Sequence, residues 1–191
     1  FHSCIRRPRA ALYCRPMQRT LLLCKPDAVA RSLTFEIAER FERRGLVMVA
    51  CRMLRASADQ ARQYCAQSMK GTLGAVEEAV ALLTSGPIVV MAWEGADAVK
   101  VALEVAGDAN PIEAAAGTVR GDLAMSSESN LIETSSSAAA AAAELGLWFS
   151  NEDLAVGPPI SQPTQAADVP AAVATAGAAA AAPAAAAAAL S

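Results

Sequence analysis

Apolar residues in this chain come in short runs separated by segments with helical spacing. RTLLLCKPDAV (19–29) is an apolar run closed by Lys-Pro-Asp, which predicts a buried strand and then a turn. LTFEIAERFERRG (33–45) places Phe35, Ile37, Ala38 and Phe41 on one side and stops at Gly45, the pattern of an amphipathic helix. LVMVACRML (46–54) predicts a second strand. SADQARQYCAQSM (57–69) opens with Ser57 and Gln60 at capping-box spacing, so a helix starts there. GAVEEAVALLTSG (74–86) is a further helix, PIVVMAWEG (87–95) a third strand, and ADAVKVALEVAG (96–107) a helix closed by Gly107. After a long loop, SSSAAAAAAELG (135–146) predicts a helix and LWFS (147–150) the last strand.

That order is β-α-β-(αα)-β-α-β. It predicts an α+β fold of the split βαβ kind, a four-stranded antiparallel sheet with helices on one face. Past Val156 the texture changes to PP, SQP and TQAAD, and residues 171–191 contain 15 alanines. The expected division is therefore an Arg-rich extension (1–18), a folded domain (19–154) and a Pro/Ala-rich low-complexity tail (155–191).

Composition narrows the classes. The formal net charge is -3, so nothing global predicts a nucleic-acid partner. The charge is uneven: residues 1–19 carry five arginines and no acid. Such a start resembles an organelle transit sequence, and it leads to the expectation of a mitochondrial location, with plastid next and axoneme or cytoplasm after it. The five cysteines (Cys4, Cys14, Cys24, Cys51, Cys65) include no CxxC pair, which predicts reduced thiols rather than a zinc site or disulfide framework. Cys24 and Cys51 lie in apolar runs and are expected in the core. No stretch predicts a transmembrane helix; the alanine tail is interrupted by Pro183. Any membrane contact is expected to be indirect, through partners.

Six pieces in order resemble the nucleoside diphosphate kinase family: RTLLLCKPDAVARSL, EIAERFERRGLVMVACRML, TSGPIVVMAWEG, DANPIEAAAGTVRGDLA, SNLIETSSS and AAELGLWFSNEDL, together covering about residues 19–154. The resemblance implies a ferredoxin-like domain and a habit of assembling into dimers, tetramers or hexamers. It also implies phosphate transfer through a histidine in the segment Asn-x-x-His-x-Ser-Asp-Ser. Here that segment is Asn130-Leu-Ile-Glu133-Thr-Ser135-Ser-Ser, with Glu133 at the nucleophile position. An ionised carboxylate is a weak nucleophile and brings a negative charge toward a triphosphate. A glutamyl phosphate is conceivable, as aspartyl phosphates are in some ATPases, but the favoured expectation is that the site has simply decayed. The histidine of this chain, His2, lies outside the domain.

By the same resemblance Lys25 matches the phosphate-reaching lysine, Tyr64 the tyrosine near the nucleophile, Arg120 a phosphate arginine and Asn130 the sugar-contacting asparagine. Ser135 and Glu144 match the hydroxyl and acid that orient the histidine. Leu103 and Ala109 stand where the family has a second arginine and a threonine, and SMKGTLGAV lacks the aromatic that stacks the base. Each retained residue also has a structural alternative: Lys25 and Asp27 capping the turn, Arg120 pairing with Asp122, Asn130 bonding its own loop. Trp93 and Trp148 are expected to end strands as core or interface anchors. Charged hydrogen bonds contribute roughly 1.5–3 kcal/mol and base stacks roughly 1–3 kcal/mol. The losses therefore amount to roughly 3–8 kcal/mol, enough to move micromolar binding to millimolar.

These readings lead to an expectation of a protein that is not an enzyme. It would be a non-catalytic accessory subunit of a large mitochondrial or plastid assembly, partnered by other protein subunits, with a homo-oligomer left open and its ends as tethers. No metal and no cofactor are expected. The alternatives are a nucleotide sensor that binds ATP or GTP with magnesium without turnover, an axonemal scaffold and, last, an active kinase.

Overall fold

The computed structural model describes residues 17–68 and 72–155. The expectations attached to the Arg-rich start and the alanine tail fall almost wholly on residues 1–16 and 156–191, outside that range.

Four strands form one antiparallel sheet: β1 (Met17–Cys24), β2 (Val47–Leu54), β3 (Ile88–Ala96) and β4 (Ile132–Thr134), in the spatial order β2-β3-β1-β4. Among the described residues seven helices connect and cover them: α1 (Pro26–Ala30), α2 (Thr34–Arg43), α3 (Ala58–Ser68), α4 (Leu73–Thr84), α5 (Ala98–Ala106), α6 (Val119–Leu123) and α7 (Ala138–Trp148). The split βαβ order and the four-stranded antiparallel sheet are as expected. Ser57 and Gln60 form the anticipated capping box, each side chain accepting from the other's backbone N–H at 3.2 and 3.1 Å.

The helices cover both faces of the sheet, not one. Successive side chains of a strand point to opposite faces. Leu22 and Cys24 pack with Ile37, Phe41 and Ala102 on the α2/α5 side, while Leu21 and Leu23 pack with Tyr64, Leu83 and Leu145 on the α3/α4/α7 side. The sequence carried the signal, since LLLC and IVVMAW are continuous apolar runs rather than alternating ones.

The last strand is Ile132–Thr134, and residues 147–148 belong to helix α7, with Phe149 just past its end. Leu145, Trp148 and Phe149 are spaced i, i+3 and i+4, so a helix turns all three inward, which a strand could not do. Trp148 therefore ends a helix, its ring 5.9 Å from Tyr64. Trp93 lies within β3, wholly buried, its ring 5.5 Å from Phe41. Phe35 is 84% exposed: the buried stripe of α2 is Thr34, Ile37, Ala38 and Phe41, and Phe35 falls off it by one position.

Cys24 is buried as expected, but Cys51 is exposed on β2, one of the sheet's two edge strands. Burial pushes the Cys24 thiol up to about 12, with smaller contributions from Cys51 and Asp27. Since the thiolate is the reacting form, native-state alkylation at pH 8, mapped by peptide mass, is expected to modify Cys51 and spare Cys24 until the chain is unfolded.

Candidate functional site

The site forms where β4 meets the C-terminal end of β1. Lys25 directly follows β1, and its backbone N–H donates to the Leu131 carbonyl at 2.8 Å. Asp27, in the first turn of α1, accepts from the Leu131 N–H through Oδ2 at 3.2 Å. Leu131 is thus held at both ends by the Lys-Pro-Asp turn. Its φ is +71°, and the Ile132 N–H donates to the Asn130 carbonyl at 2.8 Å. This is a γ-turn of the strained hand, unusual for a residue with a side chain. Complete burial of that side chain accompanies the strain.

The γ-turn aims the next residues. Glu133 pairs across the sheet with Leu23 and so shares its face, toward α3, α4 and α7. Its carboxylate is 3.8 Å from Lys25 Nζ and 3.7 Å from Arg120 Nη2, and its side chain remains 43% exposed. Arg120 is buried on α6, whose first turn is capped by Thr118 accepting from the Gly121 N–H. Its guanidinium donates to the Gly107 carbonyl at 2.9 Å and the Ile132 carbonyl at 2.8 Å. Arg120 does not pair with Asp122, whose carboxylate is taken by Arg40 at 2.6 Å. Asn130 accepts from Lys25 Nζ and donates to the Ala109 carbonyl at 3.1 Å. Ala109 therefore serves the site through its backbone. Leu103 is partly exposed on α5 and forms no part of the cavity wall.

Behind Glu133 lies a buried polar chain. Ser135 donates to Glu144 Oε2 at 2.5 Å and accepts from the Leu21 N–H at 3.1 Å. Ser68 donates to the other Glu144 oxygen at 2.8 Å. Sequence reading did not single out Ser68, although it stands one helical turn after Tyr64 and so on the same face of α3. Burial drives the Tyr64 phenol well above its ordinary range, with Glu133 and Glu144 acting in the same direction, so the ring keeps its proton. Burial lowers the pKa of Lys25 and of Arg120, and Glu133 opposes the shift in both.

Lys25, Tyr64, Asn130, Glu133 and Glu144 line one cavity of about 530 Å³. Its far wall is α4, through Ala75, Glu78, Ala79 and Leu82, and its lip is the loop of Ser127, Glu128 and Ser129. One end therefore offers Lys25 beside the Glu133 carboxylate, with Arg120 behind it, and the other a mostly apolar wall. Such a site suits a molecule with a phosphate at one end and a flat, weakly polar body at the other.

The family profile described as nucleoside diphosphate kinase matches residues 18–154. The chain is similar to a nucleoside diphosphate kinase of Saccharolobus islandicus, 44% identical over 138 residues, 72% of this chain and 99% of the relative. A nucleoside diphosphate kinase of Brevibacillus brevis is 38% identical over 138 residues, again 72% of this chain and 92% of the relative. Among solved structures, a nucleoside diphosphate kinase family protein from Babesia bovis superposes with a TM-score of 0.69 at 35% identity, covering 74% of this chain and 94% of that one.

These relatives overturn the expectation that the chain is not an enzyme: proteins this similar, over nearly their whole length, carry an enzyme's name. The expectation rested on Glu133 together with Leu103, Ala109 and the missing stacking aromatic; the charge it assigned to Glu133 as repulsion sits between two cations.

Proposed function

The chain belongs to the nucleoside diphosphate kinase family, and on that premise we propose that it binds nucleoside tri- and diphosphates in the Lys25–Glu133 cavity and moves a terminal phosphate between them. The observation that carries this reading is the Glu133 carboxylate, half-exposed in the cavity and within 4 Å of both Lys25 and Arg120.

The chemistry balances with the groups at hand. A Glu133 oxygen attacks the terminal phosphorus of the triphosphate; the bond from that phosphorus to the bridging oxygen breaks, and the diphosphate leaves with the electron pair. The glutamyl phosphate so formed is a mixed anhydride, energetic enough to pass its phosphate on. A terminal oxygen of a second diphosphate attacks the phosphorus and returns the carboxylate. The two cations offset the charge that gathers on the transferring oxygens. Magnesium would come with the nucleotide substrate, where it would supply further charge neutralisation.

Incubation with terminally labelled ATP tests the proposal. The expected result is protein-bound phosphate that hydroxylamine releases, as it releases acyl phosphates, together with label in GTP when GDP is added. Glu133→Ala removes both. An unlabelled protein and no labelled GTP at millimolar nucleotide would overturn the reading.

A further inference from the structure

We infer that Glu78 makes the cavity selective for guanine nucleotides. This deepens the nucleotide reading and rests on it. With the phosphates beside Lys25 and Glu133, a base would lie against α4, opposite the loop of residues 127–129. The α4 wall is apolar at Ala75, Ala79 and Leu82, and Glu78 is its one charged group. The neighbouring Glu77 is engaged by Arg62 at 3.3 Å. Glu78 is exposed and has no hydrogen-bond or ion-pair partner among the described residues. Among the described residues nothing takes its two acceptor oxygens, which border that end of the cavity.

A carboxylate only accepts hydrogen bonds, and its two oxygens take two adjacent donors. Guanine alone among the common bases presents such a pair, the ring N1–H beside the exocyclic amino group. Adenine and cytosine each place a ring-nitrogen acceptor beside their amino donor, so the second carboxylate oxygen meets a lone pair. Uracil flanks its single ring N–H with two carbonyls. With no aromatic in this wall to stack every base alike, the polar contact decides the preference. One good contact of this kind is commonly worth about tenfold or more in discrimination.

The test is calorimetric titration of the full chain with GDP, ADP, deoxyGDP and inorganic tripolyphosphate, repeated on Glu78→Ala. Position 78 is an exposed helical site where alanine preserves the helix. The expected result is GDP bound about tenfold more tightly than ADP, deoxyGDP equal to GDP, and the GDP advantage gone in the variant with ADP unchanged. Equal affinity for GDP and ADP, or an advantage that persists in Glu78→Ala, would overturn the inference while leaving the site's reading intact. A preference for GDP over deoxyGDP that the variant removes would also overturn it, because the carboxylate would then be reading the ribose. Binding of none of the four would overturn the nucleotide reading, and this inference with it.

Discussion

Trp93→Ala is expected to cost about 3–5 kcal/mol of stability, the range for truncating a large buried aromatic. The indole is wholly buried at the centre of β3, stacked near Phe41 and surrounded by the apolar faces of α2 and α5. Nothing around it can collapse cheaply, because its neighbours are fixed by β1 on one side and β2 on the other. For a domain of this size the loss corresponds to roughly 10–20 °C in Tm, read by thermal unfolding followed by circular dichroism. A drop below about 5 °C would mean that the two sheet faces are less tightly packed than the geometry implies.

The second large effect is on catalysis. Lys25→Met is expected to lower kcat/KM for phosphate transfer from ATP to GDP by roughly 10²–10³-fold, the usual consequence of deleting one charged donor aimed at a transferring group. Lys25 also fixes Asn130, so both steps of the exchange should suffer. The same change should not unfold the protein. Burial holds the Lys25 pKa below its ordinary value, so its charged form is disfavoured in the folded state. The unfolded chain binds that proton more tightly. Stability therefore rises as pH climbs from the folded pKa toward the ordinary lysine value, and the methionine variant lacks that rise. Steady-state kinetics and melting curves on the two proteins, at neutral and alkaline pH, separate these effects. Activity within a few-fold of the parent would remove Lys25 from the phosphate's path.

The fold was largely legible because its long elements are strongly patterned. β1 and β3 announce themselves as apolar runs, and the cap at Ser57 and the glycines at 45 and 107 mark helix limits. What was illegible is short or tertiary. β4 has three residues, too few for a period, and exists because Leu22, Leu23 and Cys24 pair with it. Helices α1 and α6 have five residues each and no periodic signature. The site residues could be named from their resemblance, but their relations could not. Sequence shows a carboxylate at position 133, and only the fold shows it between Lys25 and Arg120. Likewise, nothing local ties Ser68 to Glu144, 76 residues away.

The γ-turn at Leu131 bears on how transferable this chemistry is. Its N–H and carbonyl are both bonded to the Lys25–Asp27 segment, more than a hundred residues earlier in the chain. Neither segment encodes the bend by itself: one supplies the grip and the other the strained backbone that needs gripping. Copied alone into a foreign scaffold, the Asn-Leu-Ile-Glu stretch would relax to an ordinary extended strand and turn its carboxylate away from any lysine. The geometry around Glu133 is a property of the junction between the two segments, and a graft has to carry both.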